Sequence, residues 1–374
     1  FTTAQDVEVS VSRDDVIKIV SKQASSTDII NGSAGADSLT ISYSGIISLG
    51  DFDISTEGDY MVLTDANAGV IKYKNIESLT VGSYTYIEVT DPNNSSTKLG
   101  GFWNATEQIL YMYDGGNFST QSIIGSDGLA GLTSSSGLTA IGSDSGDYMN
   151  LNINRSDNGS DSYLSGNYVL TLGAGDDSIS VKMKNGDSID MGSGDDSVSL
   201  LYMGYYGTPT ISSASFSKLD GGIGTDTLVF SASATTDQTL TLSVGGAVNF
   251  ENISGSDASE TIQGDASSNK LSGERGIDKV YGYAGNDEIT AGGWAIFNRS
   301  SDSEILDNYV NDSNNTDNDN LYGGAGDDVL YGSRGDNVLD GGTGTDIIYS
   351  GNGSDTFVIR SGDGSNDLSS ADVA

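Results

Sequence analysis

The chain is predicted to be an all-β solenoid, because three features recur along it at a fixed spacing. Between residues 314 and 358 it divides into consecutive segments of nine: NNTDNDNLY, GGAGDDVLY, GSRGDNVLD, GGTGTDIIY and SGNGSDTFV. Most of these units open with a glycine-rich stretch, carry Asp or Asn at position six, and place one large apolar residue at position eight. A unit this short cannot bury its apolar residue alone, so it must stack on its neighbours.

Each unit combines a turn with a short strand. The first six residues have turn chemistry, because glycine allows positive φ and lets the backbone curl. The last three are long enough only for a short strand, whose middle side chain points to one face and its neighbours to the other. Position eight should therefore face a thin interior; it is held by Leu321, Leu330, Leu339, Ile348 and Phe357. Each buried Leu or Ile contributes roughly 1.5–3 kcal/mol, so stacking and bound metal must supply what a single coil lacks.

The carboxylates at position six predict calcium sites in the turns. Calcium takes about six to eight oxygen ligands, which Asp side chains and turn carbonyls can supply together. The candidate Asp ligands are Asp28, Asp37, Asp147, Asp177, Asp187, Asp196, Asp226, Asp278, Asp287, Asp319, Asp328, Asp346 and Asp355. The turn glycines counted with them are Gly324, Gly326, Gly342 and Gly344. The alternative is that these Asp residues cap the turns without metal.

The tandem units resemble the RTX (repeats-in-toxin) family of calcium-binding nonapeptide repeats. The resemblance rests on several GGxGxD-like units in register; a single motif of this kind would be weak evidence for the family. It implies a right-handed parallel β-roll or β-helix solenoid with multiple calcium ions held between successive turns, interrupted here by non-repeat β segments. It also implies an extracellular location, because calcium at millimolar levels fills such sites outside cells.

The phase of the repeat divides the chain into four predicted parts. Residues 1–40 contain alternating strands followed by two units, QASSTDIIN and GSAGADSLT. Residues 41–141 lose the nine-residue period but keep strand-like runs such as YMVLT and YTYIEV. Spaced units return over 142–254, and regular units fill 255–374 apart from an inserted loop at 291–313.

The composition excludes several classes of function. The 374 residues include 53 acidic and 16 basic side chains, a formal charge of −37, so nucleic acid is not an expected partner. The chain has no Cys and no His, which removes disulfides, thiolate chemistry and the commonest general base and zinc ligand. Adjacent carboxylates such as Asp176 and Asp177 cannot flank a scissile bond, so no catalytic residue is assigned. No apolar run is long enough for membrane insertion.

Two functional hypotheses follow. The first is a non-catalytic structural or adhesive protein of the bacterial cell surface, either a segment of an RTX adhesin or a surface-layer protein, exported by type I secretion. Its partners would be calcium, further copies of itself in a lattice, or a surface glycan or protein. The second is the repeat module of a secreted enzyme such as a lipase or metalloprotease. The opening FTTAQDVEVS lacks Met and a signal-peptide pattern, which favours a fragment of a larger secreted protein.

Aromatic residues supply the candidates for a contact surface. Seven aromatics lie between residues 84 and 118, where a core role is favoured over a ligand platform. Trp103 and Trp294 both follow glycine in loop-like sequence, and either would be a possible ligand contact if it were exposed. The tripeptide Arg334-Gly335-Asp336 is explained by its place in the repeat rather than by integrin binding.

Overall fold

The computed structural model describes residues 7–11, 13–91, 94–113, 115–119, 129, 137–151, 166–183, 186–201, 218–230, 238–241, 247–292, 316–360 and 367–368. Across these ranges the regular structure is β-strand, with one short 3₁₀ turn at Leu49–Asp51 and no α-helix. The predicted all-β class is confirmed. The chain forms two compact units, Phe1–Asp177 and Ser178–Ala374. The four-part division stays a prediction.

The first unit is built from fifteen described strands. They are β1 (Val7–Ser10), β2 (Val16–Ile19), β3 (Thr27–Asn31), β4 (Ser38–Ile41), β5 (Phe52–Glu57), β6 (Tyr60–Asp65), β7 (Val70–Lys74), β8 (Ser78–Val81), β9 (Tyr84–Asp91), β10 (Asn94–Asn104), β11 (Ile109–Met112), β12 (Asn117–Phe118), β13 (Leu138–Ile141), β14 (Tyr148–Leu151) and β15 (Tyr168–Thr171).

Parallel and antiparallel pairing alternate along this first unit. The pairs β1–β3, β3–β7, β2–β4 and β4–β8 are parallel, as in a solenoid coil. The meanders β5–β6–β7 and β8–β9–β10–β11 are antiparallel. Parallel pairing resumes at β11–β13 and β13–β15. A non-repeat β segment therefore interrupts the coils where the nine-residue period is lost.

The aromatics of the non-repeat segment form its core. Tyr86 and Tyr111 meet edge to face with ring centroids 5.7 Å apart. Phe102, Tyr113 and Phe118 are buried as well. Trp103 is only 2% exposed, so the prediction that it offers a contact surface is wrong. Its side chain lies among the packed strands of the meander, where large aromatics bury the most apolar area.

The second unit continues with eighteen described strands. They are β16 (Ser178–Val181), β17 (Ser188–Asp190), β18 (Ser197–Leu200), β19 (Lys218–Asp220), β20 (Thr227–Phe230), β21 (Gln238–Thr241), β22 (Ala247–Val248), β23 (Asn252–Ser254), β24 (Glu260–Gln263), β25 (Lys270–Ser272), β26 (Lys279–Ala284), β27 (Glu288–Thr290), β28 (Asn320–Ala325), β29 (Val329–Tyr331), β30 (Val338–Thr343), β31 (Ile347–Tyr349), β32 (Thr356–Phe357) and β33 (Asp367–Leu368).

Each strand of the regular region pairs in parallel with the next but one. One sheet runs β21-β24-β26-β28-β30-β32, and another contains β23-β25-β27-β29-β31-β33. One coil is therefore two nonapeptides long. Leu321 pairs with Leu339, and Leu330 pairs with Ile348. These four position-eight side chains are at most 2% exposed, as predicted. Long parallel sheets with buried apolar rows are the β-roll arrangement.

The inserted segment leaves the register of the coils unchanged. Lys279 pairs with Asn320, 41 residues later, whereas Asn320 pairs with Val338, 18 residues later. The difference of 23 residues (41 − 18) equals the length of the predicted loop at 291–313. Most of this loop, including Trp294, lies outside the described residues.

Candidate metal centre

The position-six aspartates are buried at the turns of the coils. Eleven of the thirteen predicted Asp ligands are at most 2% exposed: Asp37, Asp147, Asp177, Asp187, Asp196, Asp226, Asp278, Asp287, Asp319, Asp328 and Asp346. Asp28 and Asp355 are partly exposed. A buried carboxylate must be hydrogen-bonded, paired or bound to a metal, because an isolated buried charge is strongly unfavourable.

One oxygen of each aspartate joins neighbouring coils. The backbone N–H of Asp278 donates to Oδ1 of Asp319 at 2.8 Å, and that of Asp328 donates to Oδ1 of Asp346 at 3.0 Å. The same hydrogen bond, from the backbone N–H of the first residue to the side-chain Oδ1 of the second, recurs in the pairs Asp147–Asp177, Asp196–Asp226, Glu260–Asp278, Asn269–Asp287, Asp287–Asp328, Asp319–Asn337 and Asn337–Asp355. These hydrogen bonds link the position-six side chains of stacked coils into a ladder. Each side chain is one rung, and every coil supplies one rung on each of its two sides.

The second oxygen of these side chains has no donor on several rungs. Oδ2 is buried without a hydrogen-bond partner in Asp37, Asp226, Asp278, Asp287, Asp319 and Asp328. In all of these except Asp319, it lies against the glycine that opens the same unit. A Cβ built on Gly282 would be 2.2 Å from Oδ2 of Asp287, and one on Gly323 would be 2.3 Å from Oδ2 of Asp328. Glycine at position one is therefore needed to make room for the carboxylate.

Burial and stacking of like charges disfavour the ionised form of these carboxylates. Burial raises the pKa of Asp278 to about 10, with further increases from the charges of Asp319 and Glu260. Burial likewise raises the pKa of Asp319 and of Asp328 to about 7, and of Asp226 and of Asp287 to about 6. A bound cation would stabilise these carboxylates in the ionised state.

The turn backbone brings carbonyl oxygens close to the ladder. Gly324, Gly326, Gly342 and Gly344 have φ of 121°, 136°, 93° and 141°, a region that side-chain-bearing residues rarely adopt. A Cβ on Gly342 would lie 2.0 Å from the carbonyl oxygen of Gly324, and one on Gly344 would lie 1.9 Å from that of Gly326. Successive turns thus pack backbone on backbone, with carbonyl oxygens at their contact.

These residues fit calcium. Among the described residues no three Asp or Glu side chains cluster as a metal site on their own. Turn carbonyls must therefore complete any coordination shell, which suits a hard cation that accepts mixed oxygen ligands. When bound, calcium supplies positive charge between stacked coils. The chain's own aspartates and glycines hold the turn backbone in the conformation that presents those oxygens.

Two predicted ligands are satisfied by the protein itself. The carboxylate of Asp28 lies 3.2 Å from Nζ of Lys22, whose side chain is only 1% exposed. That ammonium also donates to the carbonyl and the hydroxyl of Ser26, at 2.7 and 2.9 Å. Asp28 thus differs from the other candidate ligands in having a lysine as its counter-charge, and its role as a metal ligand stays a prediction. Asp147 accepts from the N–H groups of Gly116 and Ser143, at 2.5 and 2.8 Å, so both of its oxygens cap turn backbone; its role as a metal ligand stays a prediction.

Sequence reasoning missed a second ladder at position five. Oδ1 of Asp327 accepts from the N–H of Thr345 at 2.8 Å, and Oδ1 of Asp336 accepts from that of Ser354 at 2.7 Å. Asn286, Asn318, Ser259 and Ser268 act in the same way. The signal was present, since position five is Ser, Asn, Asp or Thr in all but one of the nine regular units. The Asp of the Arg-Gly-Asp tripeptide is one of these rungs.

Glutamates outside the repeat also extend the first ladder. Oε2 of Glu77 accepts from the N–H of Asp37 at 2.6 Å, and Oε2 of Glu251 accepts from that of Asp226 at 2.8 Å. Neither Glu falls at position six of a unit, so no sequence signal identified them. They occupy the rung that a regular unit would fill with Asp.

A family model for the RTX calcium-binding nonapeptide repeat matches the chain in four copies, at residues 25–40, 263–293, 314–347 and 322–357. A search of curated proteins finds no match to this chain. No described helix is long and apolar enough to cross a membrane. RTX nonapeptide repeats are calcium-binding motifs of secreted bacterial proteins. The matched segments contain the ladder residues Asp278, Asp287, Asp319, Asp328 and Asp346, and together they cover less than half of the chain; in these segments the chain carries RTX calcium-binding nonapeptide repeats.

Proposed function

We propose that this chain is a non-catalytic structural and adhesive segment of a bacterial cell-surface protein. The chain folds into stacked parallel β-coils when it binds calcium outside the cell. The observation that carries the proposal is the buried carboxylate ladder, in which several Oδ2 atoms have no donor. A chain of formal charge −37 repels itself, and cations placed between its coils relieve that repulsion.

The non-catalytic part of the proposal is supported by what the carboxylates do. The carboxylates of Asp287 and Asp328 each accept a backbone hydrogen bond from a neighbouring coil. Their oxygens face glycine turns that are closed by backbone packing. Such carboxylates stabilise the stacking of coils rather than act on a substrate in a cleft.

The test is calcium titration of the purified chain, followed by circular dichroism and small-angle X-ray scattering. Calcium is expected to produce the strand signal and a smaller radius of gyration, and magnesium at equal concentration should do so far less well. A chain with the same spectrum and dimensions in chelator and in calcium would contradict the proposal. Two-dimensional sheets on electron micrographs would favour a surface layer, and monomers that bind cells would favour an adhesin.

A further inference from the structure

Three tyrosines, of which one is exposed and two are partly buried, form an aromatic cluster on the outer face of one sheet of the second unit. The cluster consists of Tyr281 and Tyr283 on β26 and Tyr322 on β28. Tyr281 and Tyr322 pair across the two strands and stack with centroids 4.7 Å apart and planes 5° apart. Tyr283 lies two residues along β26, on the same face, with its ring 6.1 Å from that of Tyr281 and tilted by 21°.

Tyr283 stands at a turn position where a side chain is conformationally unfavourable. Its φ is 76°, in the left-handed region, and the corresponding residues of the following coils are Gly324 and Gly342. Glu274 holds the same position one unit earlier with φ of 72°, but its carboxylate accepts hydrogen bonds from Ser254 and Ser272. The ring of Tyr283 is 50% exposed, so burial does not offset the strain. Strain of this kind concentrates at functional sites.

The surface next to Tyr283 is bare. Its partner on β28 is Gly324, and the next residue in that row is Gly342. Neither position can carry a side chain, because an added Cβ would lie 2.2 Å from the carbonyl oxygen of Tyr283 or 2.0 Å from that of Gly324. Gly324 and Gly342 therefore form a strip without side chains next to Tyr283 (the glycine trough).

Polar groups lie at the ends of the cluster. Gln263 pairs with Tyr281 on one side, and Asp340 pairs with Tyr322 on the other. Arg360 holds the carboxylate of Asp340 through two hydrogen bonds of 2.5 Å, and its side chain is 56% exposed. Because that carboxylate is already neutralised, the cluster offers aromatic faces, an amide and a guanidinium rather than an unpaired negative charge.

We propose that the tyrosine cluster binds neutral glycans, with the C–H face of a pyranose ring against Tyr283 over the glycine trough. Sugar hydroxyls would bond to Gln263 and to the guanidinium of Arg360. The inference rests on the proposed function, because calcium-stacked coils hold the three rings in place. It deepens that function by naming the class of ligand and the residues that contact it.

The test uses the whole chain in calcium and three neutral trisaccharides, chitotriose, cellotriose and maltotriose, followed by saturation-transfer NMR and calorimetry. At least one is expected to bind. Tyr283→Gly should weaken that binding by about tenfold or more, as loss of a stacking contact predicts. Its melting temperature in calcium should stay equal or rise, because glycine is favoured at this φ. Tyr283→Phe, which keeps the ring, should still bind.

Ser33→Gly is the matched control. Ser33 also holds position two of a unit with φ of 64°, so its replacement releases similar strain without touching the tyrosines. It should bind as the parent does. Failure of all three sugars to bind, equal affinity of Tyr283→Gly, or binding of a tetra-arginine peptide in their place would overturn the inference. Circular dichroism on the same samples separates the two ideas: a calcium response without sugar binding refutes this inference alone, and sugar binding without a calcium response refutes the proposed function alone.

Discussion

One turn of the first unit and the ladders of the second unit place their carboxylates in different electrostatic surroundings. In the first unit Lys22 provides a positive charge for Asp28, with its side chain only 1% exposed. In the second unit Asp278 stacks on Asp319 in one ladder and Asp287 stacks on Asp328 in the other, and each of these four carboxylates keeps a buried Oδ2 without a donor. The lysine is covalently part of the chain, whereas the ladder needs a cation from solution. The same repeat position thus has a counter-charge within the chain at Asp28 and a buried oxygen without a donor at Asp278 and Asp328.

The apolar cores of the two units also indicate that the first unit depends less on calcium than the second. The first unit has a broad apolar cluster that includes Leu49, Leu63, Ile71, Tyr86 and Phe102. The regular coils of the second unit bury single rows such as Leu321 and Leu339. A larger apolar core can offset chain entropy without metal, and a single row cannot. Calcium dependence should therefore be graded along the chain.

Chelation is the largest expected perturbation. In excess chelator the amides of residues 255–290 and 316–357 should lose hydrogen-exchange protection, while those of the meanders between residues 52 and 112 should keep it. The physical reason is that the stacked carboxylates then repel one another without a counter-ion. Mass spectrometry of hydrogen exchange with and without calcium makes the measurement. Equal loss in both regions would remove the distinction between them.

Removal of the lysine should have the next largest effect. Lys22→Met leaves Asp28 with only about 15% side-chain exposure and no counter-charge, which should cost about 3 kcal/mol of unfolding free energy. Urea unfolding in saturating calcium provides the measurement, with Lys18→Met on the exposed surface as control. Adding Asp28→Asn to Lys22→Met should recover most of the loss. If calcium alone restored full stability, Asp28 would be a metal ligand after all.

Substitution of a single rung of the ladder should have a smaller effect on stability than removal of Lys22. Asp328→Asn keeps an Oδ1 acceptor for the N–H of Asp287 but removes the charge. The calcium concentration at half-maximal folding should rise by on the order of tenfold. The matched control is Asp327→Asn, which makes the same charge change one residue earlier on the exposed ladder and still accepts from Thr345. Indistinguishable titrations of the two variants would show that position six has no special role in binding calcium.

Acidification should partly replace calcium, and this is the smallest effect expected. The pKa of Asp319 and of Asp328 is about 7 in the calcium-free fold, raised by burial, against about 3.9 in an unfolded chain. The folded state then binds protons more strongly than the unfolded chain. The stabilisation that comes from protonating these two carboxylates is fully present below about pH 3.9 and is lost as the pH rises through about 7. In chelator, strand signal should increase between pH 8 and pH 5. The opposite slope, or none, would contradict the burial of these carboxylates.

Much of the site could be predicted from the repeat alone. The nine-residue period identified position six as the carboxylate row and position eight as the apolar row, because a short strand alternates its faces. It could not tell which units share a ladder. Asp278 meets Asp319 rather than Asp287, since one coil spans two units and an insertion lies between the first pair. Nor could it show that Lys22 pairs with Asp28, because that depends on a side chain lying outside the unit.

The sequence by itself determined the coil: glycine where the backbone must turn left-handed, Asp where a buried oxygen caps the neighbouring turn, and Leu or Ile inside. These are local requirements of one unit, and they repeat with it. Only the tertiary structure decided which carboxylates lack a donor, which find a lysine, and that Tyr281, Tyr283 and Tyr322 meet on one face. Those outcomes depend on stacking across coils, where residues 18 or 41 apart become neighbours.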